Sequence, residues 1–115
     1  MAQTRLQKYG TYEDEVTGTA TGITAFAGGG QASATPLTAK YNNITVSGTN
    51  GDSVKLPIGL IGKEILVQNS DAAQSINVYP VSGEYINGVL NNPSSILATE
   101  SKRYVCVYTG YWKAS

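Results

Sequence analysis

The side chains that could do chemistry in this chain are few. Histidine is absent, so the commonest general base and metal ligand is missing, and the single cysteine, Cys106, has no imidazole to draw off its proton. Ser-His-acid and Cys-His catalysis are thereby excluded, as are zinc sites built on Cys and His. Paired carboxylates can hydrolyse glycosides, and Asp52, Glu64, Asp71 and Glu84 supply the residue type. No two of them stand at a telling spacing, and each lies in or beside a turn, where a solvated acid is ordinary. Gly28-Gly29-Gly30 has the glycine content of a phosphate loop but no Lys-Ser/Thr after it, no strand before it and no helix start; it reads as a hinge. Glu13-Asp14-Glu15 lacks the alternating spacing and turn glycine of a calcium loop and reads as a solvated acidic patch. Lys102-Arg103 is too short for a nucleic-acid footprint and suits one end of an interfacial salt bridge. Asn43-Ile44-Thr45 matches the glycosylation triplet, a pattern short enough to arise by chance. The expectation is a protein with no catalytic residue, no cofactor and no metal, and not an enzyme.

Charge narrows the partners. Eight basic and eight acidic side chains cancel over 115 residues, and charged residues are 14% of the chain where soluble domains average about 25%. Polarity comes instead from Ser, Thr, Asn, Gln and Tyr. Without a basic patch, neither nucleic acid nor an anionic membrane is expected as a partner. One cysteine allows no internal disulfide, which fits folding in a reducing cytosol. The first eight residues are not followed by the apolar stretch of a signal peptide, and no window approaches the ~18 apolar residues of a membrane span, so the chain is expected to be soluble. Its length suits one domain with a core of its own.

The elements that must carry any site divide into an arm and a body. Over residues 1–35 no period is sustained: Thr17-Gly18-Thr19-Ala20-Thr21-Gly22 and the glycine triplet bury little apolar surface per ordered residue. This stretch is expected to be an extended N-terminal arm, ordered only against a neighbour. Leu6, Tyr9, Tyr12, Val16, Ile23 and Phe26 are its apolar anchors. Residues 36–115 form the body. There the β-branched and aromatic runs at 41–47, 53–56, 64–69, 75–79, 95–98, 103–108 and 111–114 alternate with turns such as Asn87-Gly88 and Thr109-Gly110. The prediction is an all-β domain, a compact β-sandwich or β-barrel of about seven short strands with almost no helix. Pro57 and Pro80 should close strands or lie on edges.

Alternation assigns the faces. Ile65 and Val67, Ile76 and Val78, and Val105 and Val107 share sides and are the expected core, with Val54, Leu56 and Leu97. The opposite faces carry Leu66, Tyr79, Tyr104, Cys106 and Tyr108, too apolar for a sheet side left in water. Tyrosine, at eight copies against one Phe and one Trp, is a residue that interfaces favour, since it buries a ring and keeps a hydroxyl for the rim. Tyr79, Tyr104, Tyr108, Tyr111 and Trp112 are therefore expected at the subunit interface or the core rim.

From Gly28 onward several strings also stand in a fixed order. Gly28-Gly29-Gly30-Gln31-Ala32, Ala34 to Thr45, and Gly51-Asp52-Ser53-Val54-Lys55-Leu56-Pro57 open it. Gly62, Ile65-Leu66-Val67-Gln68-Asn69, Ile76-Asn77-Val78-Tyr79-Pro80, Ser82-Gly83-Glu84, Ile86-Asn87-Gly88 and Tyr111-Trp112 complete it. This succession resembles a small β-rich module of tailed-phage virion structural proteins, of head decoration (cement) or fibre type. The resemblance implies a homotrimeric capsid decoration protein, made in the bacterial cytoplasm and seated on the outer capsid surface. Its partner would be the major capsid protein. The resemblance runs from about Gly28 to Lys113; for the arm ahead of it, the apolar anchors Leu6, Tyr9, Tyr12, Ile23 and Phe26 are the residues expected to grip the capsid. A tail or head fibre component with a receptor- or glycan-binding knob is the alternative within the virion. A carbohydrate-binding module using Tyr111, Trp112 and the Asn-rich turns is the alternative outside it.

Overall fold

A computed structural model describes residues 17–28 and 30–115. Eleven strands form, and there is no helix among the described residues. One sheet has seven strands in the order β1 (Thr19–Thr24), β3 (Tyr41–Val46), β5 (Glu64–Asn69), β10 (Ser101–Tyr108), β11 (Tyr111–Ala114), β7 (Tyr85–Ile86) and β8 (Val89–Leu90). The other has four, in the order β2 (Thr35–Pro36), β4 (Asp52–Lys55), β6 (Ile76–Tyr79) and β9 (Ser94–Ile96). Every run predicted from the sequence is a strand; β1, β2, β7 and β8 are additional. Neither sheet closes on itself, so the barrel alternative does not hold.

The first six strands alternate between the sheets. Thus β1, β3 and β5 lie side by side and parallel in one, and β2, β4 and β6 do so in the other. The chain coils from sheet to sheet, because parallel neighbours need a long connection and here the intervening strand supplies it. After β6 the pairing becomes mostly antiparallel: β9 joins β6, β10 joins β5, and β10–β11 and β7–β8 are hairpins. Asn87 and Gly88, the two residues of the second hairpin turn, have φ of 52° and 84°, the left-handed pair that a two-residue turn requires. Pro80 follows directly on β6 and Pro57 comes two residues after β4, both outside the ladders.

A single apolar core lies between the sheets. Ile44, Ile65, Val67, Tyr104, Cys106 and Trp112 enter it from the large sheet, and Val54, Ile76, Val78 and Ile96 from the small one. The expected core members Val54, Leu56, Ile65, Val67, Ile76 and Val78 are buried. Val105, Val107 and Leu97 are not, and the pairing register explains the first two. Tyr104 stands opposite Ile65 and Val105 opposite Glu64; partners across a ladder share a face, so Tyr104 turns inward and Val105 outward. The next register step holds a bulge, with Cys106 opposite Trp112 and Tyr108 opposite Tyr111. Two residues, Val107 and Tyr108, then face one, and both stay outside at 51% and 64% exposure. Leu97, 58% exposed, lies just beyond the end of β9.

Two buried polar side chains tie the ends together. Asn69 Nδ2 donates to the carbonyls of Gln74 (2.9 Å), Ile96 (3.2 Å) and Leu97 (3.2 Å), joining β5 to the end of β9 across the sheets. Asp52 accepts from the amides of Gly48 (2.8 Å) and Thr49 (3.1 Å) and from the Thr49 hydroxyl (2.7 Å). Burial alone would raise the Asp52 pKa, but these donors and the Gly28 amide outweigh it and hold the carboxyl below its ordinary 3.8.

Residues 17–28 and 30–35, expected within the arm, pack with the body. β1 pairs along β3, Ala25 and Ala34 are buried, and Phe26 and Ser53 exchange backbone hydrogen bonds of 2.9 and 3.1 Å. Backbone pairing with a strand already held by the core orders a segment too poor in large side chains to order itself. Gly22, at φ 74°, sits where the β1–β3 register slips between Ala20 and Ile23.

Candidate functional site

The outward side of the large sheet carries a row of rings. Tyr108 lies opposite Tyr111, Tyr111 opposite Tyr85, and Tyr85 opposite Leu90, so one line crosses β10, β11, β7 and β8. The Tyr85 and Tyr111 rings stack with centroids 4.3 Å apart and planes 4° from parallel; Tyr108 leans on Tyr111 at 5.2 Å and 54°. Leu90 is 50% exposed and Val89 beside it 53%. Because Tyr85 and Tyr111 spend a face on each other, the row presents ring edges and hydroxyls more than open ring faces. The stacked Tyr85 phenol first, then desolvation and the nearby Tyr108, hold the Tyr111 phenol above its usual 10.0. Tyr111 is therefore uncharged at neutral pH.

What fixes the row is the layer directly beneath it. Trp112 and Ile86, the next residues along β11 and β7, point into the core at 1% and 0% exposure. The Tyr85 amide donates to the Gly110 carbonyl at 2.8 Å and the Asn87 amide to the Trp112 carbonyl at 2.9 Å. The loop between β4 and β5 closes the end: Gly59 gives its amide to the Glu84 carboxylate at 3.1 and 3.2 Å and accepts the Gly110 amide at 2.8 Å. Glu84 also takes the Trp112 indole N–H at 3.4 Å.

Farther along the same face the surface becomes mixed. Tyr41, Leu66 and Arg103 stand in one cross-strand line and, with Lys40 and Glu64, line a shallow groove. The Glu64 carboxylate pairs with Arg103 Nη1 at 2.8 Å and Lys40 Nζ at 3.6 Å, and Lys40 lies 5.7 Å above the Tyr41 ring.

The edges are poorer places to dock. β1 is bent by its register slips, β2 contains Pro36, and β8 and β9 run only two and three residues. Short, bent or proline-bearing edges resist strand addition. The candidate site is thus a face.

The residues singled out from the sequence scatter. Leu6, Tyr9 and Tyr12 lie outside the described residues. Ile23, an expected capsid anchor, packs instead on the core, whereas Phe26 stays 44% exposed beside its bridge to Ser53. Tyr104 and Trp112, expected at the subunit interface or the core rim, are core residues at 0% and 1% exposure and have no surface to offer a neighbour. Tyr104 satisfies its hydroxyl by donating to Ser94 Oγ at 3.0 Å. Tyr79 is half-buried in the small sheet, apart from the row. Tyr108 and Tyr111 do come together. Tyr85 and Leu90 were missed; the signal was Asn87-Gly88 between Ile86 and Val89, a two-residue hairpin turn with an apolar residue on either side. The four carboxylates weighed for glycoside hydrolysis are each engaged: Asp52 and Glu84 as above, Glu64 in its ion pairs, and Asp71 by the amides of Ser47, Ala73 and Gln74. Among the described residues no cluster of three His, Cys, Asp or Glu side chains could hold a metal ion.

No family model, curated protein or solved structure matches the chain.

Proposed function

We propose that this chain is a structural subunit of a tailed-phage virion that decorates the head, without catalysis, docking through the outward face of its seven-stranded sheet. The observation that carries this reading is the Tyr108–Tyr111–Tyr85–Leu90 row, held rigid from below and unpartnered above. Rigid tyrosines lose little entropy on binding and rank with Trp and Arg among the side chains that dominate protein interfaces. The sequence resemblance to phage decoration modules supplies the partner, the major capsid protein, and the trimeric state. The fold that suits this work is a two-sheet, sandwich-like body wound as a short solenoid.

In a trimer, three such faces would act together. Each added grip binds at an effective concentration in the millimolar range, so modest contacts multiply into avidity gains of about 10² to 10⁴. Subunits bridging neighbouring capsomers in this way would brace the shell against the pressure of packaged DNA. A sugar-binding platform needs a free ring face, and the mutual stacking of Tyr85 and Tyr111 removes one face from each.

Immunogold labelling of phage particles from the source culture, with antibody raised against the recombinant chain, tests this reading. Dense label over heads is the expected outcome. Label confined to tails or fibres, or no labelled particles, overturns it.

A further inference from the structure

The large sheet does not share the chain's electrical neutrality. Acids and bases cancel over the whole sequence, yet the seven strands of this sheet hold one acid, Glu64, against Lys102, Arg103 and Lys113. Two of those cations turn to the outward face: Arg103 stands opposite Leu66, and Lys113 stands opposite Val105, which in turn faces Glu64. Lys40, directly ahead of β3, adds its ammonium 3.6 Å from Glu64. Three cations on this part of the face therefore share one carboxylate. Lys113 is exposed and lies two strands from Glu64, about 10 Å away at the usual strand spacing, which is comparable to the ~10 Å screening length at 0.1 M salt. Among the described residues Arg103, whose side chain is 58% exposed, spends only Nη1 on a side-chain acceptor, Glu64 at 2.8 Å. The other donors of its guanidinium remain for a second carboxylate.

The groove among these charges has a lining to match a particular side chain. Leu66 and the 47% exposed Tyr41 supply its apolar part, and Lys40, Glu64 and Arg103 its charged part. At about 130 Å³ it takes one side chain rather than a strand or a helix. We propose that the groove receives a glutamate side chain presented by the partner protein, its carboxylate pairing with the remaining donors of Arg103 and its methylenes lying along Leu66 and Tyr41. A single negative charge suits the lining better than a phosphate dianion, because Glu64 repels the second charge. This inference rests on the docking face proposed above and adds what the partner must present there: an acidic side chain beside the area that meets the tyrosine row. The row then supplies apolar contact, and the groove supplies register and discrimination between partners.

The test is an amide-resolved NMR titration of the full-length chain with the capped peptide acetyl-Ala-Glu-Ala-amide, run beside its Gln counterpart at equal ionic strength. The expected result is saturating shifts at Leu66, Arg103 and the Arg103 side-chain Nε–H with the Glu peptide alone. Glu64→Gln, which removes the competing carboxylate, should tighten peptide binding about two- to fivefold, the change that one exposed ion pair supplies. Arg103→Gln should abolish the shifts. Unchanged signals from Ile44, Val78 and Trp112 certify that both variants keep the fold. Equal responses to the two peptides, or shifts as large at Lys55 in the small sheet, overturn the proposal. So does saturation by inorganic phosphate without a response to the Glu peptide, and so do Arg103 signals that change on tenfold dilution of the chain alone, which would seat a second copy in the groove. No virion enters the titration, so labelled phage heads together with a groove indifferent to the peptide would sink this inference and leave the decoration reading standing.

Discussion

Replacing Gly59 by alanine would set one methyl group against the joint that holds the tyrosine row. The added Cβ would stand 2.9 Å from Trp112 Nε1, 3.0 Å from Glu84 Oε1 and 3.2 Å from Cys106 Sγ. Trp112 and Cys106 are 1% exposed and have no room to retreat. Glu84 could swing aside only by releasing the Gly59 amide and the Trp112 indole. Gly59 is not among the glycines with positive φ, so the effect is crowding rather than backbone strain. Overpacking a filled site by one methyl costs about 1–3 kcal/mol, and weakening a hydrogen bond to a charged acceptor adds about 1.5 kcal/mol. A total of about 2.5–4.5 kcal/mol lowers Tm by about 10–18 °C for a chain of this size. Melting followed by far-UV circular dichroism gives the first number. Trp112, the only tryptophan, gives the second, because its emission should move to the red as the indole is displaced. A Gly59→Ala protein that melts within about 2 °C of the parent, with unchanged emission, would refute the packing argument on which the row's rigidity rests.

Other consequences follow from the buried polar groups. Asn69→Ala leaves the carbonyls of Gln74, Ile96 and Leu97 without their donor and should cost about 2–4 kcal/mol, read from the urea midpoint. Asp52 and Asp71 both have carboxyls held below the ordinary 3.8. For a lowered folded-state pKa the stabilisation is full above the unfolded value and is lost as pH falls through the folded one. Stability should therefore hold down to about pH 4 and fall below it, and Asp52→Asn should melt lower at neutral pH while showing a shallower acid decline. Tyr104 is the mirror case: burial holds its phenol far above the usual 10.0 despite the hydrogen bond to Ser94. The unfolded chain ionises first, so this contribution is present below about pH 10 and lost above it. Urea midpoints measured through that range should fall less steeply for Tyr104→Phe than for the parent.

How much of this was legible in the sequence depended on whether a segment's pattern was local. The runs at 64–69 and 111–114 match their strands residue for residue because alternation and flanking turn residues are contained within them. β7 and β8 hold two residues each, too few to show any period, and only the turn between them announced a hairpin. β1 has one large apolar side chain, Ile23, and is ordered by the backbone of β3, a cause that lies elsewhere in the chain. The parallel coiling of the first six strands is likewise a property of which strands become neighbours. In β10 both alternate sets are apolar, so composition could not choose between Tyr104 with Cys106 and Val105 with Val107; the pairing with Ile65 chose. The candidate face suffered from the same ambiguity. Tyr108 and Tyr111 were recognised by residue type, Tyr104 was put on the outer face by parity, and Tyr85 and Leu90 were hidden in strands too short to read. The carboxylates were read as solvated turn acids; burial and backbone donors make Asp52 a loop clamp, which spacing cannot reveal.

The central claim is that the outward face of the large sheet meets another protein. Reconstruction of source-culture particles by electron cryomicroscopy tests it directly. The account predicts density for this chain on the head exterior, with Tyr85, Tyr108 and Tyr111 pressed against the shell or a sister subunit. A subunit bound with those three rings turned to open solvent would contradict it.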